Sequence, residues 1–324
     1  MAGKRGFEEQ VAALDALRQQ PAELRSEPLR KGLGGKNNFI AAKAADLVRE
    51  FALAELIPEL LTAFDRFLEN AEKNDPQCWA KNAISRALAA LKFQEPEIFL
   101  RGMRHIQMEP VWGGRSDTAG TLRATCALAL VQCRSVREPE LLAHLVDLWA
   151  DKEKTVRVEV ARAIEQVGSN SASLLLRLRA TLGGDEPELL GACYAGVLRI
   201  EGVGSIAWVR RFLATGDDSA TEAALAIADT HSREGFAALT DSLGTAKDPW
   251  FRSVLLSAIA LTRQDAAVEF LLDSIQKDSL DAQPALEALL RSMPSEELAK
   301  QIEKLVDDNP RLRRVLAEQR RASK

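Results

Sequence analysis

The chain has 324 residues, 28% charged and 5% aromatic with a single tyrosine, and a formal net charge of −4. Alanine (50) and leucine (46) dominate; the scarcity of β-branched and aromatic residues argues against a sheet-based fold, and 46% hydrophobic residues exclude collagenous and disordered classes. Residues 201–300 hold 9 basic and 16 acidic side chains, and residues 301–324 hold 7 and 4, so no long stretch carries the cationic excess that neutralising a duplex requires.

The N-terminal MAGKRGFEEQVAAL is charged and lacks an apolar core of signal-peptide length, and no run approaches eighteen apolar residues, so no membrane contact and a cytoplasmic location are expected. Residues 1–21 are expected to form a capping helix. The stretch KGLGGKNN at 31–38 reads as an inter-helix turn: no strand precedes it, and Asn37 stands where a phosphate loop needs Ser or Thr. A helix from Phe39, FIAAKAADLVRE, follows. Next, ENAEKNDPQCWAKN at 69–82 places Asp75-Pro76 at the opening of a helix that bears Trp79 and Lys81.

Residues 107–117, QMEPVWGGRSD, separate the helices EIFLRGMRHIQ and TAGTLRATCALAL. That is long for a connection in a compact helical array. A proline, two glycines, Trp112 and Arg115 give this loop fixed bends, an aromatic anchor and a forked cation. Two readings stay open: Trp112 folds back to plug a gap, or the loop binds a partner.

The clearest helical unit is KTVRVEVARAIEQVG at 154–168. Val156, Val160, Ala163, Ile164 and Val167 recur at helical spacing, and EPELLAHLVDLWADKE before them makes a second amphipathic helix. Such pairs recur. Small residues of the second helix stand at Ala87, Ala129, Ala163, Gly196, Ala226, Ala258 and Ala288, intervals of 42 down to 30 residues, and a period of this length signals a solenoid. Small residues let helices of neighbouring pairs approach closely enough to share a core.

At these positions the chain resembles the HEAT-repeat family, particularly the short bacterial kind shared with phycobilisome-lyase-type repeats. Val156, Arg157, Ala161, Ala163, Ile164, Val167 and Gly168 carry the likeness, as do Leu122, Arg123, Ala127, Ala129 and Leu130. Phe251, Arg252, Ala258 and Ile259 keep its core, whereas 187–200 and 218–230 lack the arginine. The resemblance implies an all-α, right-handed α-solenoid of stacked antiparallel helix pairs, armadillo-like, in one unit over 1–324. About nine pairs would occupy 22–321, with a tail at 322–324. It also implies that the acid–base pairs Asp75/Lys81, Asp117/Arg123 and Asp151/Arg157, each six residues apart, form a ladder between repeats. The alternative is that Arg123 and Arg157 face an acidic ligand.

Cys78, Cys126, Cys133 and Cys193 have no CxxC spacing and read as buried thiols in a reducing compartment. His105, His144 and His231 are isolated, so no metal is expected, and no cofactor or catalytic spacing is found. Asp217-Asp218 and Asp307-Asp308 read as helix caps. RLRRVLAEQRRASK reads as a capping helix with a basic tail.

Trp79, Trp112 and Trp250 fall in or beside inter-helix turns, whereas Trp149 and Trp208 belong to first helices and read as core. The function expected is a non-enzymatic scaffold that grips a protein or peptide, as a monomer, through its concave groove and the 107–117 loop. The partner-binding candidates are Trp79, Lys81, Trp112, Gly113, Gly114, Arg115, Arg123, Arg157 and Trp250. A second reading resembles the HEAT-like DNA-alkylation-repair glycosylases, with Trp79, Trp112 and Asp117 at the base and Lys81, Arg123 and Arg157 on phosphates; the acidic 201–300 stretch makes nucleic acid an improbable partner. A third is a bilin-lyase-like partner protein, suggested by the repeat resemblance alone.

Overall fold

The computed structural model describes residues 2–292 and 296–322. Among the described residues the regular structure is helical apart from one two-stranded hairpin. Contacts group the chain into two compact units, Met1–Val167 and Gly168–Lys324.

The first unit opens with helix α1 (Ala2–Ala16), packed on α3. Four helix pairs follow: α2 (Ser26–Gly34) with α3 (Asn38–Glu50), α4 (Ile57–Leu68) with α6 (Trp79–Ala90), α7 (Glu97–Met103) with α8 (Gly120–Leu130), and α9 (Glu138–Leu148) with α10 (Lys154–Val167). A single turn, α5 (Ala71–Asn74), intervenes within the second pair, and strands β1 (Met108–Val111) and β2 (Gly114–Asp117) within the third. The second helices lie side by side, α3 on α6, α6 on α8 and α8 on α10.

The second unit holds five pairs: α11 (Asn170–Leu182) with α12 (Pro187–Glu201), α13 (Ile206–Arg210) with α14 (Asp218–Ala228), α15 (Arg233–Thr245) with α16 (Pro249–Leu261), α17 (Asp265–Gln276) with α18 (Ala282–Ser292), and α19 (Glu296–Val306) with α20 (Pro310–Ala322). Here too second helices adjoin in order, from α12 through α14, α16 and α18 to α20. From residue 323 on, the expected tail lies outside the described residues.

The small residues read from the period are buried on the second helices, with Ala87, Ala163 and Ala258 fully enclosed. Their size has a function, because each sits where two helices meet. The same logic extends to a first helix. A Cβ at Gly102 in α7 would lie 2.3 Å from the Cys126 sulfur of α8, so only glycine lets these two helices close.

Helix ends follow local chemistry. Asn37, Ser169, Asp217, Ser232 and Asp248 each accept a hydrogen bond from the amide three residues on, satisfying a donor that the first turn leaves free. Of the 31–38 segment only residues 35–37 form the turn between helices, with Asn37 as the cap of α3, while residues 31–34 complete α2 and Asn38 opens α3. After α3 and α6 the chain turns through Ala52 (φ 55°) and Lys92 (φ 57°). The Leu53 amide donates to Val48 O and the Phe93 amide to Leu88 O, which closes both helices with the same six-to-one bond.

One expectation needs revising. The continuous helical stretch Pro187–Thr215 is long and apolar enough to cross a bilayer by length and composition. Of its apolar 18-residue window 56% is buried inside the fold, and Leu189, Cys193 and Val197 of α12 are wholly enclosed. Its apolarity is accounted for by packing of α12 against α11 and α14. The sequence reading underestimated this stretch because charged residues such as Arg199 and Glu201 interrupt the apolar run.

Candidate interaction site

The 107–117 insertion is a β-hairpin. Strands β1 and β2 pair antiparallel with Met108 opposite Asp117 and Val111 opposite Gly114, leaving Trp112-Gly113 as the turn. Gly113 takes φ 89°, a left-handed conformation that side chains with a Cβ resist. Trp112 does not fold back: at 104% relative exposure it stands wholly in solvent. The plug reading is thereby excluded.

What holds the hairpin is buried and polar. Glu109 points inward from β1 at 8% exposure, and its carboxylate accepts hydrogen bonds from the Gln77 amide (2.6 Å) and the Thr118 hydroxyl (2.7 Å). Gln107, also buried, donates its side-chain amide to Asp75 O at 2.9 Å and to Glu109. Its carbonyl oxygen lies 3.0 Å from His105 Nε2 and accepts from the Cys78 thiol. Desolvation, the largest single effect on the Glu109 carboxyl, opposes ionisation, yet the donors around it hold it below the ordinary glutamate value. Burial pushes the Cys78 thiol up to about 12, so it is no nucleophile.

The hairpin thereby grips the turn before α6. In that turn Gln77 (φ 59°) and Cys78 (φ 55°) are successive left-handed residues without glycine, a conformation that survives only where surroundings over-determine it. Asp75 supplies much of that determination. Fully buried, it accepts from the Ala80 and Lys81 amides (2.9 and 3.0 Å), from Asn38 (3.0 Å), and pairs with Lys81 Nζ at 3.0 Å.

These contacts settle where each predicted site residue lies. Lys81 is fully buried, donating also to Phe67 O, and Arg123 is 4% exposed. Neither can meet a partner, so both leave the candidate surface; the physical reason is that Lys81 turns into its own pair, onto Phe67 O and Asp75, and Arg123 turns toward Asp151 of the next pair. Arg123 reaches Asp117 (2.6 Å), Asp151 (2.6 Å) and His105 O (2.9 Å), a ladder between pairs. At the third pair Arg157 donates to the backbone carbonyls of Asp151 and Lys152 (2.7 and 3.0 Å), while Arg123 holds the Asp151 carboxylate. In the second unit Arg252 repeats the arrangement with Asp281 at 2.9 Å and with Leu243 O and Ala246 O.

The accessible candidates are Trp79, Trp112, Gly113, Gly114 and Arg115 in the first unit and Trp250 in the second. Trp79, 48% exposed, stands edge-on to Phe39 at 5.8 Å, and Phe39 meets Phe7 at 5.5 Å. Arg115 pairs with Glu72 at 2.8 Å and reaches Met108 O, bracing β2 against α5. Ile106, Met108 and Val111 are exposed with Trp112, and an open depression of about 520 Å³ lies beside Ile106, floored by Asn70–Lys73. Trp250 is 50% exposed. Trp149 is buried, as a core residue; Trp208 is only half-buried and packs with Tyr194 and Phe212.

Sequence reasoning missed Glu109, Gln107 and Asn38. They are polar residues in a polar context, and the only available signal was a glutamate flanked by Met108 and Pro110 in a segment otherwise aromatic and glycine-rich. The four cysteines are free and buried. Among the described residues no three His, Cys, Asp or Glu side chains converge as a metal site. No protein-family model matches the chain, and no curated protein matches it.

Proposed function

We propose that the protein is a HEAT-type scaffold, a right-handed solenoid of helix pairs, that binds a protein or peptide through the groove its second helices form and through the 107–117 hairpin. One observation carries the reading: a fully exposed tryptophan stands at the tip of a hairpin whose base is fixed by a buried, fully hydrogen-bonded network. Leaving an indole in water costs free energy that burial in a partner recovers, and a rigid base means little ordering entropy is lost on binding. The stacking of second helices in sequence order and the buried small residues between them support the array.

The glycosylase-like reading loses its chemistry. Lys81 and Arg123, which would hold phosphates, are enclosed, and Asp117 is engaged by Arg123 and by the Gln107 and Ala119 amides. The test compares proteins retained by wild type and by Trp112→Ala, with circular dichroism as the folding control. Loss of a discrete set from the variant supports the proposal; an identical set removes the hairpin from the binding surface.

A further inference from the structure

Helices α1 and α2 both pack on α3, and between them the first unit leaves a cleft of about 760 Å³. Its floor holds the buried side chains of Leu14 and Ile40, and Ala13 and Pro28 stand as exposed walls. A concave site of this size with an apolar base suits a small molecule. The KGLGGKNN segment at 31–38 supplies its mouth. Gly34 lines the cleft although the fold does not call for glycine there. It closes α2, its φ is not left-handed, and a Cβ on it would meet open space. Glycine is the poorest helix former after proline; what its missing side chain provides here is room.

The cations around the mouth lack counter-ions. Lys31 and Lys36 stand at the rim, and among the described residues neither meets a carboxylate; Glu27, the acid of the lining, is taken by Arg30 at 2.8 Å. Arg66 of α4 reaches the same turn from the other side. Its Nη2 donates to Leu33 O and, at 2.9 Å, to Gly35 O, while its buried Nε has no partner. Burial lowers the pKa of this guanidinium with no carboxylate to offset the cost. A helix C-terminus ordinarily repels anions. Arg66 engages the carbonyls where α2 ends and so removes that repulsion.

We infer that this cleft binds a small anionic amphiphile, with its apolar body on Leu14 and Ile40 and its carboxylate or phosphate head beside Lys31 and Lys36. Charge selects the head, because a cationic head would join three cations that are already uncompensated. The floor selects the body, because a bare anion gains nothing from apolar surface and is better solvated in water. The site is independent of the hairpin.

Isothermal titration of the full chain with decanoate and with decyl phosphate, each to about 5 mM, tests the inference, and the tighter of the two assigns the head. Saturation at one site per chain is expected, with none by decyltrimethylammonium or by inorganic phosphate. Lys31→Gln and Lys36→Gln should each weaken binding about threefold, and the two together about tenfold. Gly34→Leu should abolish saturation by filling the mouth. Its circular-dichroism spectrum should be unchanged and its urea midpoint no lower than that of wild type, since leucine is the better helix former. Saturation by neither anionic amphiphile overturns the proposal, as does equal binding of the cationic one or of inorganic phosphate. So does wild-type affinity in folded Gly34→Leu or in the double lysine variant.

Discussion

Arg123 clasps Asp151, 28 positions further along the chain, with Nε 2.6 Å from Oδ2 and Nη2 3.0 Å from Oδ1. Its remaining arm reaches Asp117 and His105 O, so one side chain ties the hairpin's last residue to the turn of the next pair. Only the planar guanidinium fork meets three partners at once. Arg123→Lys should therefore behave as a disruption, costing about 2 kcal/mol, and Arg123→Ala about 3–5 kcal/mol because Asp117 and Asp151, both largely enclosed, lose their counter-charge and keep only backbone amide donors. Urea unfolding of both variants measures this; a lysine variant as stable as wild type would show the fork to be dispensable.

The Asp75–Lys81 pair tests the same physics with both partners enclosed. Lys81→Met removes the cation but leaves Asp75 its three neutral donors, Asn38 and two amides. Asp75→Ala strips those donors and strands the Lys81 charge. The aspartate variant should be the more destabilised, each losing at least about 3 kcal/mol. In the double variant the losses should be far from additive, as they are for residues in direct contact. Equal and additive losses would mean that the pair is not coupled.

Much of this was legible in the sequence, and the part that was not has a physical cause. The second helices were readable because Val156, Val160, Ala163 and Ile164 repeat at helical spacing and are buried as that spacing requires. The Asp117–Arg123 contact was expected from the resemblance to HEAT-type arrays, in which an acid in the turn meets a base six residues on. The destination of Arg123 at Asp151 was not, since it depends on how pairs stack. Nor was the hairpin: four-residue strands, one containing Pro110, give no alternation to detect.

Helix closure provides a stabilising prediction. Ala52 and Lys92 are exposed and left-handed, with φ near 55°. A Cβ in that conformation costs about 1–2 kcal/mol, whereas glycine loses only about 0.4–1 kcal/mol through the freedom of the unfolded chain. Relief wins. Ala52→Gly and Lys92→Gly should each raise stability by several tenths to about 1 kcal/mol, additively because they are distant. A fall in the urea midpoint for either variant would contradict the assigned turn geometry.

Acid should loosen the base of the hairpin. Burial, chiefly, holds the His105 imidazole below its ordinary 6.5. For Glu109 and Asp117, desolvation is the largest single effect and opposes ionisation, but amide and side-chain donors together keep them below 4.5 and 3.8. In each case the folded state binds fewer protons than the unfolded chain, so stability is present above the unfolded value and is lost as pH falls through the lower folded one. The urea midpoint should hold near pH 7.5, decline as pH drops below 6.5 through His105, and decline again below about 4.5 through the carboxylates. Glu109→Gln should flatten the lower limb and leave the upper one. An unchanged lower limb would assign the acid sensitivity to other groups.

Trp112 separates stability from binding. Nothing in the fold contacts its ring closely enough to shield it from water, so Trp112→Ala should move the unfolding free energy by no more than about 0.5 kcal/mol. Gly113→Ala touches no other atom either, since a Cβ there meets open space, but it strains a turn at φ 89° and should weaken the hairpin alone. Hydrogen exchange distinguishes the two. In Trp112→Ala the Gln107 and Thr118 amides, which bond to Asp117 and to Gln107 O, should keep wild-type protection. In Gly113→Ala those amides should remain protected while the Val111–Gly114 end of the ribbon exchanges faster. An anchor held out on a stiff base predicts this division; uniform loss of protection in either variant would mean that the tip and the base of the hairpin unfold as one.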